Sequence, residues 1–314
     1  MTPSSSNSSP KTFYFVGVTT GQSSIQRIFP RWMEVLQRTD VTLQGVDFPL
    51  HADPARYRAL VQHIKHDANG IGGLVTSHKI DLYNAAHDLF DELDPYARLC
   101  AELSSIAKRD GRLVGHAIDP IAMGQALNMI LGDRYFGRTG GEVLCLGAGG
   151  AATAIALHLI NQTAAADRPQ RFTLVDIAAE RLAHAQRMVA QMVTDIAFNY
   201  LHHDQAASND ALVARLPAGS VIINATGMGK DRPGSPVTDG VNFPQAATVW
   251  ELNYRGTLTF LHQALAQRNA QQLIVSDGWV AFLYGWTGVI AQVLDLPIDD
   301  DLFAQMAHVA AEHR

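Results

Sequence analysis

The chain has 314 residues, of which 47% are apolar and 17% charged, the composition of a globular protein long enough for two domains. Its net charge of -6 argues against nucleic acid or a membrane surface as the main partner, and no apolar run is long enough to predict a membrane span. The two cysteines, Cys100 and Cys145, are too few for a disulfide framework and favour a reducing, cytoplasmic location.

The first part of the chain alternates short apolar strands with helices, which is typical of a mostly parallel sheet covered by helices. It follows a segment rich in Ser, Asn and Pro, residues 1–11, that we expect to be a disordered tail. The sequence Asp110-Gly111 between two apolar runs indicates a β-hairpin. The predicted elements are strand 13–18, a helix from Ile25, strand 41–48, helix 53–65, strand 70–76, hairpin strands 103–107 and 113–116, and helix 119–130.

A second series of strands follows Thr139-Gly140-Gly141, and its intervening helices predict a doubly wound sheet. The final segment, 279–313, is apolar and helical, and we expect it to fold back onto the first domain. We therefore predict an α/β protein with an N-terminal substrate domain, residues 12–124 and 279–314, and a Rossmann-type domain, residues 125–278. The strands predicted in the latter are 143–146, 172–175, 196–201, 221–224, 248–251 and 273–275.

The strand 143–146 leads into a glycine-rich turn with the pattern of a dinucleotide-binding loop. Gly147 permits the tight turn, Gly149 lets the backbone approach a pyrophosphate, and Ala152 allows helix and strand to pack closely. The helix that follows offers free N–H groups to phosphate at its N-terminus. The alternative is a bare tight turn. The residues predicted to bind the cofactor here are Gly147, Ala148, Gly149, Gly150 and Ala151.

Asp176, at the end of the next strand, narrows the choice of cofactor. A carboxylate at this place accepts hydrogen bonds from the adenosine ribose and would repel the 2′-phosphate of NADP. The sequence therefore predicts NAD, with NADP possible because Arg181 could hold a phosphate. The alternative is that Asp176 caps the following helix.

Six short motifs stand out along the chain. They are Val75-Thr76-Ser77-His78-Lys79; Leu93-Asp94-Pro95-Tyr96-Ala97 followed by 109–115 and Asp119; 147–152; 224–229; Asn253-Tyr254 with Thr259; and Asp277-Gly278. These motifs occur in the order found in shikimate and quinate dehydrogenases, and the chain resembles that family from about Phe13 to its C-terminus. The resemblance implies hydride transfer between a nicotinamide cofactor and a ring alcohol, a small-molecule substrate, and a monomer or homodimer.

The resemblance implies that Lys79 and Asp119 form the catalytic pair. Oxidation of an alcohol requires loss of a proton as the hydride leaves, and a lysine near an aspartate can hold that proton. The alternatives are a solvated lysine that begins a helix and an aspartate that only caps the helix of Pro120. The other implied residues are Gln22, Ser23, Thr76, Ser104 and Tyr254 for the substrate, and Asn224, Ala225, Thr226, Gly227, Met228 and Gly278 for the cofactor.

The chain departs from the family at several positions that bind substrate. Since an unpaired buried polar group costs about 1–3 kcal/mol, these changes predict retained redox chemistry on a hydroxylated cyclic substrate other than shikimate. A nucleotide-binding sensor without turnover, or a dehydrogenase of quinate or an amino-analogue, remain alternatives. No metal is expected, because the histidine cluster 202–204 lacks ligand spacing. The departures are Ile25 for a serine, Gly73 for asparagine, Ser77 for proline, Ser104-Ser105 for Asn-Thr, and Tyr284-Gly285 near a glutamine.

Overall fold

The computed structural model describes residues 9–162, 164–230 and 232–314, so most of the predicted tail, residues 1–11, lies outside the described residues. The chain divides into two compact units. The first ends at Ile118 and resumes at Trp286, and the second runs from Asp119 to Gly285. Each unit has its own six-stranded sheet with helices, which confirms the predicted α/β class.

The first unit is built on a mixed sheet of order β2-β1-β3-β5-β6-β4. Strands β1 to β3 are parallel, as predicted, whereas β5 runs antiparallel to β3. The predicted hairpin joins β5 and β6 through Asp110 and Gly111, which both have positive φ. The strands β1 to β6 are Lys11–Gly17, Val41–Asp47, Gly70–Val75, Glu92–Leu93, Ser105–Arg109 and Arg112–His116, and the helices α1 to α4 are Ile25–Val35, Pro54–His66, Lys79–Ala86 and Pro95–Cys100.

Aromatic side chains hold the C-terminal part of the chain in the first unit. The indole N–H of Trp32, fully buried on α1, donates to the Met306 carbonyl at 2.7 Å. Met306 lies on the last helix, α12, Asp300–Ala311, and Trp286 packs edge-on against Phe15 of β1 at 4.9 Å between ring centroids. The last 29 residues therefore complete the core of this unit.

The second unit has an all-parallel sheet of order β12-β11-β10-β7-β8-β9. From β7 the chain winds first to β8 and β9 on one side and then to β10, β11 and β12 on the other. The switch point therefore lies between the carboxyl ends of β7 and β10, where doubly wound sheets bind ligands. The strands β7 to β12 are Val143–Leu146, Arg171–Asp176, Ala197–His202, Val221–Asn224, Thr248–Glu251 and Ile274–Ser276, and the helices α5 to α10 are Asp119–Leu131, Tyr135–Thr139, Gly150–Asn161, Ala179–Val189, Ala206–Val213 and Thr259–Gln271.

The two units divide at Ile118/Asp119 and Gly285/Trp286, whereas the domain boundaries expected from the sequence, 124/125 and 278/279, stay a prediction. Helix α5 belongs wholly to the second unit because it packs along α7. Helix α11, Trp279–Leu294, changes unit at Trp286, since its first turns contact Tyr254 of the second unit through Trp279 and Phe282. A continuous apolar helix carries no sequence mark at such a change.

The close packing of α5 on α7 makes Gly124 intolerant of a side chain. A Cβ at Gly124 would lie 2.1 Å from Nδ1 of His158, whereas one at Gly285 of α11 would have no described heavy atom within 4 Å beyond its chain neighbours and the nearby backbone of its own helix. We expect Gly124→Ala to destabilise the protein by about 1–3 kcal/mol through overpacking. Gly285→Ala should stabilise it by up to about 1 kcal/mol, because alanine loses less entropy in a helix. Urea unfolding of both variants measures this, and equal effects would contradict the packing argument.

Candidate functional site

The glycine-rich turn lies between β7 and α7, at the switch point of the second sheet. Gly147 has a φ of 106°, and a Cβ on it would lie 2.6 Å from the backbone of Ala225, so a glycine is required. Gly149 precedes the first residue of α7, and a Cβ on it would meet no described heavy atom within 4 Å. The open side of Gly149 and the N-terminus of α7 therefore offer backbone N–H groups to a phosphate.

Asp176 makes a hydrogen bond to the glycine-rich turn that the sequence did not predict. Its side chain is 6% exposed, and Oδ2 accepts a hydrogen bond from the N–H of Ala148 at 2.7 Å. Oδ1 accepts from the N–H of Ala178 at 2.8 Å, so the carboxylate joins the phosphate loop to the turn after β8. Arg181 approaches it to 3.9 Å and is half exposed. Each carboxylate oxygen has two lone pairs, so Asp176 keeps the capacity to accept a further hydrogen bond from a ribose hydroxyl. Binding of the ribose by Asp176 stays a prediction.

The predicted cofactor-side loop, residues 224–228, begins at the carboxyl end of β10. Asn224 is fully buried, and its Oδ1 accepts from both the N–H and the hydroxyl of Thr226, at 3.1 and 2.7 Å. The Thr226 hydroxyl in turn accepts from the N–H of Met228. The N–H of Ala225 donates to the carbonyl of Leu146 at 2.7 Å. These bonds fix the loop beside the end of β7.

Two further residues, Glu251 and Asn253, support this loop. Glu251 ends β11 directly opposite Asn224 in the parallel register and is fully buried. Its Oε2 accepts from Asn224 Nδ2 at 2.7 Å, and its Oε1 accepts from the N–H and Nδ2 of Asn253 at 2.8 and 2.6 Å. Burial raises the pKa of Glu251 to about 7, although these hydrogen bonds oppose the rise. The sequence signal was an acidic residue that ends an otherwise apolar strand.

Gly278 and Tyr254 lie near this network. A Cβ on Gly278 would lie 2.0 Å from the carbonyl oxygen of Leu252, and the N–H of Gly278 donates to the Asn253 carbonyl. The ring of Tyr254 packs against those of Trp279 and Phe282, with centroids 5.6 and 4.7 Å apart. Gly278 thus permits a close approach of two backbones, and Tyr254 is held by aromatic packing.

The predicted site residues of the first unit lie beyond the carboxyl ends of its parallel strands β1 and β3, or beside them. Thr76 follows β3, and its hydroxyl donates to the Val16 carbonyl of β1 at 3.2 Å. The N–H of Val75 donates to the carbonyl of Ser104, which brings the entry to β5 beside the end of β3. Lys79, half-buried, is the first residue of α3. Gln22 ends a short 3-10 turn after β1, and Ser23 follows it, so both lie beyond the same end of the sheet.

Some of these side chains are already used within the unit. The Ser104 hydroxyl accepts from the N–H of Ile118 at 2.6 Å and donates to the His116 carbonyl, and Ser104 is 2% exposed. His78, for which the sequence predicts no function, is fully buried before Lys79 and contacts the Tyr57 hydroxyl through Nδ1 at 2.9 Å. The residue that precedes α3 is therefore a buried histidine held by Tyr57.

Lys79 and Asp119 belong to different units. Lys79 lies in the first unit, whereas Asp119 is the first residue of α5 and lies in the second. Asp119 is 8% exposed.

Among the described residues there is no group of three or more His, Cys, Asp or Glu side chains placed to hold a metal ion. No helix in the described ranges is long and apolar enough to cross a membrane.

Comparison with known proteins identifies the relatives of this chain, although no family model matches it. A shikimate dehydrogenase (NADP(+)) of Methylobacterium radiotolerans is 30% identical over 261 residues, which are 82% of this chain and 83% of the relative. That of Symbiobacterium thermophilum is 30% identical over 212 residues, and the match spans only 65% of its length. The chain belongs to the shikimate dehydrogenase family.

The fold agrees with that family. The structure of quinate dehydrogenase from Corynebacterium glutamicum in complex with NAD superposes with a TM-score of 0.76, covering 96% of this chain and 99% of that one. The identity over this superposition is 16%, so the likeness concerns the fold.

The buried carboxyl group of Glu251 predicts a specific dependence of stability on pH. Its pKa is raised from 4.5 to about 7 in the folded chain, so its contribution to stability is present below pH 4.5 and is lost as the pH rises through 7. Between these pH values, the free energy of unfolding of the wild type should fall by about 3 kcal/mol relative to Glu251→Gln, at about 1.4 kcal/mol per pKa unit. Urea unfolding at several pH values measures the difference.

A matched control is Glu142→Gln, in the same unit. Glu142 pairs with Arg171 at 3.0 Å near the surface, and its removal should leave the pH dependence as in the wild type. A Glu251→Gln variant whose stability follows the wild-type pH profile would contradict the assignment.

Proposed function

We propose that this chain is an NAD(P)-dependent oxidoreductase that transfers hydride between a nicotinamide and a ring alcohol of a hydroxylated cyclic substrate. The observation that carries the proposal is the phosphate loop at the switch point of the second sheet, with the loop of residues 224–228 beside it. The names of the relatives, shikimate dehydrogenase (NADP(+)) and quinate dehydrogenase, support the same class of reaction.

The residues of the second unit fit a dinucleotide. The pyrophosphate would lie at the N-terminus of α7 over Gly149, where the backbone has open space. Asp176 would accept hydrogen bonds from the adenosine ribose, and the loop 224–228 with Gly278 would hold the nicotinamide end. When bound, the nicotinamide supplies the acceptor or donor of the hydride.

The proposed roles of Lys79 and Asp119 concern the proton. As the alcohol carbon loses hydride, its hydroxyl must lose a proton, and the Lys79 amine is a suitable acceptor at the carboxyl edge of the first sheet. Asp119 would stabilise the charge on Lys79 and pass the proton on. Both residues would act in reverse when a ketone is reduced.

We propose that the substrate is not shikimate itself. Position 73, where the family has asparagine, has no room for a side chain. A Cβ on Gly73 would lie 2.0 Å from the Tyr14 carbonyl oxygen. Ile25, in place of the family's second serine, is fully buried at the start of α1. The Ser104 hydroxyl is bound to backbone groups. These sites offer fewer hydrogen bonds to a triol, which favours a quinate-like or otherwise altered cyclic alcohol.

The first test separates folding from cofactor binding at the phosphate loop. Gly149→Ala should fold with wild-type stability, since its Cβ meets no described atom, but should weaken dinucleotide binding at least about 10-fold by obstructing the pyrophosphate. Gly147→Ala should instead lose stability, because its backbone has positive φ and close neighbours. Calorimetric titration with NAD and thermal unfolding measure both. Unchanged affinity in a folded Gly149→Ala variant would argue against the site.

The second test concerns the choice between NAD and NADP. We expect NAD to bind at least about 10-fold more tightly, because Asp176 repels the 2′-phosphate. Asp176→Asn should narrow this ratio, whereas a disturbed phosphate loop would weaken both cofactors equally. Arg181→Gln should weaken only NADP. Dissociation constants for both cofactors decide the matter, and equal or tighter binding of NADP by the wild type would refute the preference.

The third test concerns catalysis. Quinate, shikimate and other cyclic polyols, each with NAD and NADP, should reveal a substrate by nucleotide reduction. With that substrate, Lys79→Ala and Asp119→Ala should each lower kcat by about 10²–10⁴-fold. The double variant should be little worse than the poorer single variant, because the two residues would serve the same proton transfer. NAD affinity should stay unchanged.

Lys65→Ala is the matched control, since Lys65 pairs with Asp91 on the surface of the first unit at 3.0 Å. Wild-type kcat in Lys79→Ala would exclude the proposed proton acceptor. A kcat/KM for shikimate at or above about 10⁴ M⁻¹s⁻¹ would contradict the proposal that the substrate is not shikimate. Dinucleotide binding without turnover of any polyol would instead favour a sensor.

A further inference from the structure

The last residue of β11 is an acidic side chain that lies in the interior of the doubly wound sheet. Glu251 is fully buried, and the other residues of β11, Thr248–Trp250, are also buried. A buried carboxylate is costly unless hydrogen bonds compensate for the lost water. Glu251 meets this condition through donors from Asn224 and Asn253.

Both asparagines continue from Glu251 to the loop 224–228. Asn224 Nδ2 and Asn253 Nδ2 each also donate to the carbonyl of Met228, at 3.3 and 3.1 Å. Asn224 Oδ1 accepts hydrogen bonds from Thr226. The backbone of Ala225 lies so close to Gly147 that a Cβ there would be 2.6 Å away. One carboxylate is thus connected to the loop by two routes, and the loop lies directly against the phosphate loop.

The network requires a side chain at position 251 that only accepts hydrogen bonds. Among the described residues, the groups that reach its two oxygens are N–H donors, and one of them is the backbone N–H of Asn253, which cannot reverse. Reversing the amide of Asn224 would place its NH₂ against the N–H of Thr226. A glutamine would therefore set its NH₂ against one of these donors, and a protonated glutamate would add an O–H donor and lose part of its acceptor capacity.

The charges around Glu251 are few among the described residues. Its nearest partners from β10 and from the segment after β11, Asn224 and Asn253, are neutral amides. The carboxyl group of Asp277, which follows β12, acts on it by charge repulsion. Burial and this repulsion raise the pKa of Glu251 to about 7, so its charge changes within the range in which enzymes are assayed.

We infer that Glu251 is a positioning residue, whose carboxylate holds the loop 224–228 against the phosphate loop in the geometry that receives the dinucleotide. The inference rests on the proposed function, because it takes that loop as the cofactor-side loop. Protonation of Glu251 removes one acceptor, so the Asn224 and Asn253 amides no longer fix Met228. The binding-competent loop should then be less populated, and the apparent dissociation constant of the cofactor should rise in proportion.

The experiment measures binding of NAD and NADP to the full chain by calorimetry from pH 6 to pH 9, so that no substrate is needed. At pH 6 about one tenth of Glu251 is charged, and the wild-type dissociation constant should be on the order of 10-fold higher than at pH 8. The Glu251→Gln variant should bind the dinucleotide weakly at every pH, and its dissociation constant should not change between pH 6 and pH 8. Glu142→Gln should keep the wild-type profile.

Asp277→Asn provides a second variant that leaves Glu251 in place. The asparagine oxygen can still accept the N–H of Trp279, which donates to Asp277 Oδ1 at 3.1 Å. Removal of the charge should lower the pKa of Glu251, so the midpoint of the binding profile should move to lower pH. A residue with only a structural role would change the melting temperature without moving this midpoint.

The outcomes separate the two proposals. A wild type that binds neither dinucleotide at any pH would overturn the proposed function and this inference with it. A wild type that binds, together with a Glu251→Gln variant of equal affinity and pH profile, would overturn the inference alone. If Glu251→Gln does not fold, a profile whose midpoint is unmoved by Asp277→Asn overturns it.

Discussion

The close approach of two backbones at the switch point is the constraint on which the second unit depends. Gly147 and Ala225 leave the ends of neighbouring strands, β7 and β10, and no side chain fits between them at position 147. This contact sets the phosphate loop and the cofactor-side loop at one fixed separation. The buried hydrogen bonds of Asn224, Thr226 and Glu251 then hold the second loop in place through contacts within the chain itself.

The sequence predicted the elements whose signals are local. The turn at Gly147 demands positive φ, and Asp110-Gly111 matches the geometry of a tight hairpin, so both could be read from a few neighbouring residues. Except for the two-residue β4, the strands were predicted to within two residues, and the central parallel strands β7 and β10 were clearest because strands buried on both faces are continuously apolar. The two-unit α/β architecture followed from their order.

The features that escaped prediction depend on contacts between distant residues. The bond from Ala148 to Asp176 joins residues 28 positions apart and arises only when β7 and β8 pair in register. Glu251 resembled any acidic residue at a strand end until its burial was known. Ser104 was selected as a substrate residue, but its hydroxyl is bound to two backbone groups, which no sequence pattern reveals.

The bond between Ala148 and Asp176 has a consequence for how cofactor preference can change in this chain. The side chain that would discriminate between the two nucleotides also fixes the loop that would bind the phosphates common to both. A substitution that admits a 2′-phosphate therefore also releases a backbone N–H in that loop. A change of preference, whether by evolution or by engineering, would need a second alteration that restores the lost acceptor, so the two nucleotides are separated by a coupled pair of changes.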